Sequence, residues 1–422
     1  MRNARGSLYY GWVLVLTLGV TETISWGVLY YAFADYLAPM QAEFGWSRGE
    51  MTGAFSVALL VAGVAAIPVG RWLDGHGPRV LMTLGSIAAT GLVLAWSRAG
   101  GIQQFYLVWA AIGLTMSATL YDPAFATVTR WFERDRVRAL TAITLMAGFA
   151  STIFIPLASW LVQIQGWRTS LVTLALILAI GTIAPHALLL RRRPEDVGLR
   201  ADGGPSNDRP PANPELHGST AAADSLHGMA VGQALRQASF WWLALAFWLS
   251  TLATIAVSLH LLPYLQDRGY DATFAASVTG LVGAMQVAAR FILAPLSHRG
   301  VLRPRVLAAA TLAMQPAALL VLLLVRSTLG VFVFVVLFGA HRGLSTLARP
   351  ALLADLYGVA RYASIAGVLQ FAISLAQAAA PVGAGAAYDW LASYEPILWT
   401  LTLTSALAVV AVLPARPSPG SG

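Results

Sequence analysis

The sequence contains no cysteine and is poor in charged residues. Without cysteine, neither a disulfide framework nor a cysteine-ligated metal site can form. Only 11% of the 422 residues are charged, whereas a soluble protein carries about a quarter. Lysine is absent as well, so all 27 basic residues are arginine. Together with 57% hydrophobic residues, this composition predicts a protein that crosses a membrane several times.

Motifs of enzymes and of ATP-driven pumps are also missing. The sequence has no H-E-x-x-H, no serine–histidine constellation of recognisable spacing and no P-loop. We therefore expect no enzyme activity, no catalytic residue, no metal and no cofactor. A ligand-binding receptor in the membrane is an alternative that the sequence leaves open.

Hydrophobic segments of about 20 residues, the length that crosses a bilayer, recur along the chain. Twelve spans are predicted, at residues 11–36, 50–73, 79–97, 103–129, 138–162, 168–190, 239–265, 273–297, 304–325, 328–354, 363–388 and 395–414. The first span follows two arginines but precedes no small-residue cleavage site. We therefore interpret it as a transmembrane helix and not as a cleaved signal peptide.

One long polar stretch divides the spans into two groups of six. It begins RRRPEDVGLRADGGPSNDRPPANPELHGST, and its Pro, Gly, Asn, Asp and Ser content is typical of a linker. The predicted organisation is an N-terminal six-helix bundle at 1–190, a cytoplasmic linker at 191–236 and a C-terminal six-helix bundle at 237–422. The expected fold class is an all-α integral membrane protein with two pseudo-symmetric bundles.

The distribution of arginine indicates how the spans are oriented. If the N-terminus is cytoplasmic, nineteen arginines fall in inner loops and only five in outer loops. Because arginine is enriched on the cytoplasmic side of membrane proteins, we expect a multi-pass inner-membrane protein with both termini in the cytoplasm. The same placement accounts for the net charge of +8 without a nucleic-acid partner.

The two halves of the chain also resemble each other. LYDPA at 120–124 matches LARPA at 347–351. Pro156 and Pro381 each follow a small residue, Ala139 and Ser364 respectively, by 17 positions. Repeated halves around a central site are typical of transporters.

The loop between the second and third predicted spans carries the most specific motif. It reads GRWLDGHGPR, so that Gly70, Asp74, Gly77 and Arg79 follow the pattern G-x-x-x-D-x-x-G-x-R. A glycine at position 70 lets neighbouring helices approach, Asp74 can cap a helix or pair with an arginine, and Gly77 permits a tight turn. The motif resembles the signature of the major facilitator superfamily.

Further stretches resemble the bacterial branch of the monocarboxylate transporter and oxalate/formate antiporter group. They are EFGWSRGEMTGAFS, RWFERDRVRAL, RRPEDVGL and ALRQASFWWLALAF. The resemblance implies the major facilitator fold, in which helices 1, 4, 7 and 10 line a central cavity. It also implies a secondary active transporter of a small organic anion, with a monocarboxylate as the preferred class. An exporter of larger amphipathic compounds and an organic anion exchanger stay open as alternatives.

Seven ionisable residues inside predicted spans are candidates for a functional role, because a charge at the bilayer centre costs about 2.5–3.5 kcal/mol. They are two acids, three arginines and two histidines: Glu22, Asp122, Arg290, Arg342, Arg349, His260 and His341. Pairing of the two acids with Arg342 and Arg349 would leave one arginine over. A substrate carboxylate would satisfy it with two parallel hydrogen bonds.

Arg290 is the predicted carboxylate anchor. The stretch GAMQVAARFILAPL places Gln286 four residues before it, on the same helix face, and RPR follows at 303–305. In monocarboxylate transporters an arginine on helix 8 binds the substrate carboxylate, and the resemblance implies the same role for Arg290. The alternative is an arginine that snorkels to the cytoplasmic edge of the membrane.

Other residues are assigned to substrate binding by spacing or by resemblance. Trp26 and Tyr30 follow Glu22 at steps of four, and with Tyr31 they form a predicted aromatic wall. Such aromatic residues also serve as packing or interface anchors, which is the alternative. The remaining predicted binding residues are Tyr121, His260, His341, Arg342 and Gln370.

Proton coupling and gating are assigned to the charged residues that remain. Glu22 and Asp122 are the preferred proton carriers, although both histidines qualify in chemical type. Asp122 and Arg349 are predicted to close the cytoplasmic side of an outward-facing carrier. We expect the partners to be an anionic small molecule, protons and the lipid bilayer, and we expect the protein to be a monomer.

Overall fold

The computed structural model describes residues 9–203, 229–298, 303–391 and 393–415. Among these residues, nine helices are long and apolar enough to cross a membrane. One of the nine is a 54-residue run, Arg136–Leu189. As a straight helix it would be roughly 80 Å long, far more than the hydrocarbon core of a bilayer. Gly166, at φ 76° and ψ 162°, interrupts the run and separates α5 (136–165) from α6 (167–189).

The first span is longer and less regular than predicted. It begins as an α-helix at Tyr10–Trp26, continues as a π-helix at Gly27–Tyr31 and ends as an α-helix at Phe33–Phe44, which together form α1. Gly45 ends α1 in the left-handed conformation that glycine tolerates, with φ 70°. A capping box between Ser47 and Glu50 then starts α2 at Arg48–His76.

The fourth span is not the continuous helix that was predicted over 103–129. After α3 (Pro78–Trp96), α4 consists of two helices, Ile102–Thr119 and Tyr121–Trp131, separated by Leu120 in an extended conformation. Pro123 explains the break, because proline lacks the N–H that would bond to the carbonyl oxygen of Thr119 in a continuous helix, and its ring would clash with that carbonyl group. The second helix therefore starts at Tyr121, and Asp122 lies in its first turn.

The remaining spans agree with their predicted positions to within three residues at either end. They are α7 (Ala238–Asp267), α8 (Ala272–His298), α9 (Pro304–Leu324), α10 (Thr328–Tyr357), α11 (Tyr362–Leu391) and α12 (Tyr394–Val412). Counting α5 and α6 separately and adding α4 and α8, which are not among the nine, gives twelve apolar helical segments in the described residues. The predicted all-α membrane fold is confirmed.

Contacts divide the chain into two compact units. Unit 1 comprises Met1–Ala58, Ala65–Val231 and Tyr357–Gly367. Unit 2 comprises Leu59–Val64, Gly232–Leu356 and Val368–Gly422.

The first part of the predicted linker is folded onto unit 1. The carboxylate of Asp202 accepts hydrogen bonds from the backbone N–H groups of Glu133, Arg134 and Asp135, at 3.2, 2.8 and 3.3 Å. The hydroxyl of Tyr9 reaches the carbonyl oxygen of Arg200, at 3.3 Å. Linker residues 204–228 lie outside the described residues.

Candidate functional site

Two glycines on α10 bring that helix into close contact with α8. A methyl group added at Gly339 would collide with the side chain of Met285 and the carbonyl oxygen of Val282. A methyl group at Gly343 would collide with the backbone of Gln286. Because both glycines lack a side chain, the α10 backbone lies directly against the turn of α8 that precedes Arg290.

Arg290 uses this contact to reach the backbone of α10. Its Nε–H donates to the carbonyl oxygen of Gly343 at 3.1 Å. The residue is 5% exposed, so it is buried within unit 2 and does not extend to the surface as a snorkelling arginine would. A second donor, the hydroxyl of Thr346, shares the same carbonyl oxygen at 2.8 Å. Gln286 is half-buried one turn before Arg290.

The two arginines of α10 contact polar side chains of neighbouring helices. Arg342 donates from Nη1 to the hydroxyl of Ser258 on α7, at 3.1 Å. Arg349 donates from Nη1 to the side-chain oxygen of Gln370 on α11, at 2.8 Å. Both arginines are half-buried. The structure therefore brings together Arg349 and Gln370, which the sequence had assigned to gating and to substrate binding.

His341 belongs to a buried network of hydrogen bonds. Its Nδ1 lies 2.9 Å from the carbonyl oxygen of Thr311 on α9, and its Nε2 lies 3.2 Å from the hydroxyl of Thr254 on α7. Nδ1 must carry the proton, because a carbonyl oxygen can only accept. Gln315 on α9 donates to Thr254 and accepts from Ser250, at 2.9 and 2.8 Å. This network ties α10 to α7 and α9.

His260, the other predicted histidine, lies near the end of α7. Its Nδ1 is 3.4 Å from the hydroxyl of Tyr394 at the start of α12, and the two rings are 5.5 Å apart. Tyr394 in turn stacks on Tyr388 of α11, with ring centroids 4.2 Å apart. His260 is therefore part of an aromatic cluster near the end of α7.

Glu22 is completely buried in unit 1, with no exposed surface. In the part of the chain that the structure describes, neither of its carboxylate oxygens has a hydrogen-bond partner. The indole of Trp26 interacts with the Glu22 carboxylate without forming a hydrogen bond of normal geometry. The carboxylate of Asp122, in the same unit, interacts with Glu22 electrostatically. A buried carboxyl group in such surroundings favours a bound proton or an ionic partner.

The predicted aromatic residues of α1 and α4 do come together. The ring of Trp26 lies 5.1 Å from that of Tyr30 and 5.0 Å from that of Tyr121. Tyr31 joins the same group, 5.2 Å from Tyr30. All four residues are half-buried.

The signature loop connects three parts of unit 1. A methyl group at Gly70 would collide with the carbonyl oxygen of Ala363. Asp74 forms an ion pair with Arg130 at 2.8 Å and accepts from the backbone N–H groups of Ala363 and Ser364, at 3.2 and 2.8 Å. Asp74 therefore binds the positive end of the α11 helix dipole as well as an arginine.

The last two motif residues shape the turn that follows. Gly77 adopts φ 80°, a conformation that only glycine reaches without strain. Arg79 donates from Nε to the carbonyl oxygen of Ala187 on α6, at 2.6 Å.

Several features of the site went unpredicted, although one had a readable signal. Gly339 and Gly343 form a G-x-x-x-G pattern, which is typical of close helix contacts in membranes. The network of Ser250, Thr254 and Gln315 has no comparable signal, because single polar residues in apolar helices do not reveal their partners.

Comparison with known proteins agrees with this architecture. Residues 15–381 match the family described as Major Facilitator Superfamily. Monocarboxylate transporter 13 of Bos taurus is 28% identical over 277 residues, which cover 64% of this chain and 58% of the relative. Monocarboxylate transporter 11 of Homo sapiens is 28% identical over 317 residues, which cover 71% of this chain and 59% of the relative. The chain thus aligns with less than two thirds of either relative.

A probable L-galactonate transporter of Escherichia coli (strain K12) is 26% identical over 166 residues, which cover 38% of this chain and 35% of the relative. Among solved structures, the transporter FucP in the outward conformation has a TM-score of 0.72 at 15% identity. That match covers 97% of this chain and 100% of FucP, and at this identity it supports the fold alone. Since the family match extends over most of the chain, this protein belongs to the major facilitator superfamily of membrane transporters.

Proposed function

We propose that this transporter moves a small organic anion, with a monocarboxylate as the preferred class, by alternating access. The observation that carries the proposal is the position of Arg290, buried in unit 2 and bonded through Nε to Gly343. The Nε bond orients the plane of the guanidinium group. A guanidinium plane with a defined orientation suits the two parallel hydrogen bonds of a carboxylate.

Two further observations support an anionic substrate. Arg342 and Arg349 add positive charge to the same unit, and each donates a hydrogen bond to a neutral side chain, Ser258 and Gln370 respectively. Two relatives named monocarboxylate transporters, numbers 13 of Bos taurus and 11 of Homo sapiens, align with 64% and 71% of this chain. The carboxylate class is therefore preferred over larger amphipathic compounds.

Proton coupling through unit 1 completes the proposal. Glu22 is buried without a hydrogen-bond partner among the described residues, and Asp122 is the second acid acting on it. A proton on Glu22 would remove the cost of a buried charge, and its release would follow a change in solvent access. The protein would act as a monomer in the inner membrane with both termini in the cytoplasm.

The purified full-length chain provides the test. Small carboxylates, each paired with its uncharged amide, are titrated in thermal unfolding measurements, because a ligand of the folded state raises the unfolding temperature. We expect protection by the acids and not by the amides. Arg290→Lys keeps the charge but loses the fork, so it should weaken binding about tenfold or more.

Arg326→Lys serves as the matched control, because Arg326 forms an exposed ion pair with Glu395 at 2.9 Å. It should bind the acids like the natural chain. Unchanged carboxylate affinity in Arg290→Lys would contradict the assigned anchor. Protection by amphipathic dyes but by none of the acids would favour an exporter instead.

A further inference from the structure

We propose that unit 1 contains an aryl subsite, and that the transported anion is an aromatic carboxylate with a hydroxyl or amino group on its ring. The aryl subsite consists of Trp26, Tyr30, Tyr31 and Tyr121. The carboxylate half of this inference rests on the proposed function. The aromatic half rests on the surroundings of the π-helix Gly27–Tyr31.

The π-helix places both tyrosines beside the same tryptophan. In an α-helix, positions 26 and 31 would point about 140° apart, since each residue turns the chain by about 100°. The π-helix instead bonds the N–H of Ala32 to the carbonyl oxygen of Gly27, at 2.9 Å, and so inserts one residue into the turn. As a result, the ring of Trp26 lies 5.1 Å from Tyr30 and 6.3 Å from Tyr31.

The break in α4 supplies the fourth ring. Because the second helix of α4 starts at Tyr121, this side chain lies at a helix end, with its ring 5.0 Å from that of Trp26. The ring of Tyr121 also stacks on that of Phe125, with ring centroids 4.9 Å apart and planes inclined by 11°. Two local irregularities, the π-helix and the break at Leu120, therefore converge on one group of rings.

The aryl subsite is the less buried edge of a larger aromatic core. Behind it, Phe55 contacts Tyr30 and stacks on Phe33, with ring centroids 5.1 and 4.8 Å apart. Phe33 and Trp109 are almost completely buried, whereas the four residues of the aryl subsite are half-buried. Partly exposed rings on a rigid aromatic base suit a planar ligand, because aromatic pairs gain energy in stacked and edge-on arrangements.

Several polar groups on the same part of α1 lack hydrogen-bond partners among the described residues. Glu22 Oε1 and Oε2, Ser25 Oγ and Trp26 Nε1 are four of the eleven buried side-chain atoms without a hydrogen bond in the described part of the chain. The neighbouring hydroxyls of Thr21 and Thr23 bond to carbonyl oxygens of their own helix. Buried polar groups are normally paired. A hydroxyl or amino group on the ligand ring can donate to the carboxylate or to Ser25, and a hydroxyl can also accept from the indole N–H.

Three probe acids separate the contribution of the aromatic ring from that of the ring hydroxyl in binding measurements on the purified full-length chain. Cyclohexanecarboxylate and benzoate have the same charge and carbon count, but only benzoate is planar and aromatic. We expect benzoate to bind about tenfold more tightly, a difference of about 1.4 kcal/mol. 4-Hydroxybenzoate should bind several-fold more tightly than benzoate.

Variants test whether the aryl subsite causes the preference for benzoate over cyclohexanecarboxylate. Trp26→Leu should bring the affinities of benzoate and cyclohexanecarboxylate close together, whereas Trp26→Phe should keep most of the difference. Trp46→Leu is the matched control, because Trp46 is also a half-buried ring, stacked on Phe44 at 4.3 Å outside the aryl subsite. Ser25→Ala should reduce the gain from the ring hydroxyl.

The outcomes distinguish this inference from the proposed function. If the natural chain binds benzoate and cyclohexanecarboxylate equally, the aryl subsite is wrong while carboxylate transport stands. If it binds benzyl alcohol as tightly as benzoate, the carboxylate anchor is wrong while the aryl subsite stands. Equal affinities for benzoate and 4-hydroxybenzoate would contradict the proposal that the ligand ring carries a hydroxyl or amino group. None of these comparisons requires a variant to fold.

Discussion

The carbonyl oxygen of Gly343 accepts the Nε–H of Arg290 across the contact between α8 and α10, at 3.1 Å. Gly343 itself lies against the backbone of Gln286, and this close approach brings its carbonyl oxygen within reach of Arg290. The position of the predicted anchor therefore depends on a residue without a side chain, four positions from another such residue, Gly339.

Gly343→Ala should both destabilise the fold and weaken carboxylate binding. The added methyl group collides with the α8 backbone, so we expect a loss of about 1–3 kcal/mol in the free energy of unfolding. Gly283→Ala is the matched control on α8, since its methyl group would meet no heavy atom within 4 Å. Thermal unfolding of the two variants, measured with and without a bound carboxylate, compares their stability and their binding. Equal losses would contradict the close helix contact.

Glu22→Gln should uncouple transport from the proton gradient. In proteoliposomes, an acid exterior should stimulate uptake of a labelled carboxylate by the natural chain. Glutamine cannot release a proton, so the variant should still exchange internal for external substrate without responding to the gradient. Asp122→Asn tested in parallel identifies which acid is required. Uptake by the natural chain that ignores pH would favour an anion exchanger.

Asp74→Ala should cost far more stability than the loss of an exposed ion pair. The side chains of Asp74 and Arg130 are 0% and 10% exposed, so removing the acid leaves a buried arginine without its partner, at a cost of about 3–5 kcal/mol. Arg326→Ala breaks a pair whose side chains are 71% and 53% exposed, and it should cost less than about 1 kcal/mol. Chemical denaturation measures both. Similar losses would argue against the role of Asp74 at the start of α11.

His341→Leu should destabilise unit 2 through its hydrogen-bond network. The substitution leaves the carbonyl oxygen of Thr311 without its ring donor, and unpaired buried groups cost about 1–3 kcal/mol each. His260→Leu should cost less, because the hydrogen bond to Tyr394 is long, at 3.4 Å, and His260 is only half-buried. Unfolding temperatures of the two variants compare them. A His341 variant as stable as the natural chain would contradict the network.

The pairing of Asp122 with Arg349 stays a prediction, since the two residues belong to different units. If they form a gate, each single charge reversal, Asp122→Arg or Arg349→Asp, should impair transport, and the double variant should recover part of it. A double variant no better than either single variant would speak against the pair. Arg349 would then act through Gln370 instead.

Much of the architecture follows from sequence because it depends on average properties. A span needs only apolar residues over about 20 positions, and its orientation needs only the balance of arginine across loops. Those quantities placed most helix ends to within three residues. They also selected Arg290, since a charge in an apolar segment stands out without knowledge of its neighbours.

The errors lie where a single residue changes the backbone. Pro123 breaks α4 at Leu120, whereas Pro350, at the corresponding position of the second half, lies inside a continuous α10. The same sequence pattern thus produces two outcomes, and packing decides between them. The π-helix in α1 is equally hard to predict from the sequence, because an inserted residue does not change the average hydrophobicity by which a span is recognised.

The π-helix has a consequence for chemical labelling of this protein. Since the natural chain contains no cysteine, any cysteine introduced along α1 is the only thiol that a reagent can modify. Reactivity along Tyr10–Trp26 should follow the α-helical repeat of 3.6 residues. One additional residue within Gly27–Tyr31 delays that repeat, so the maxima along Phe33–Phe44 should be out of phase with those before it. The labelling pattern would thus record the inserted residue in a membrane, position by position.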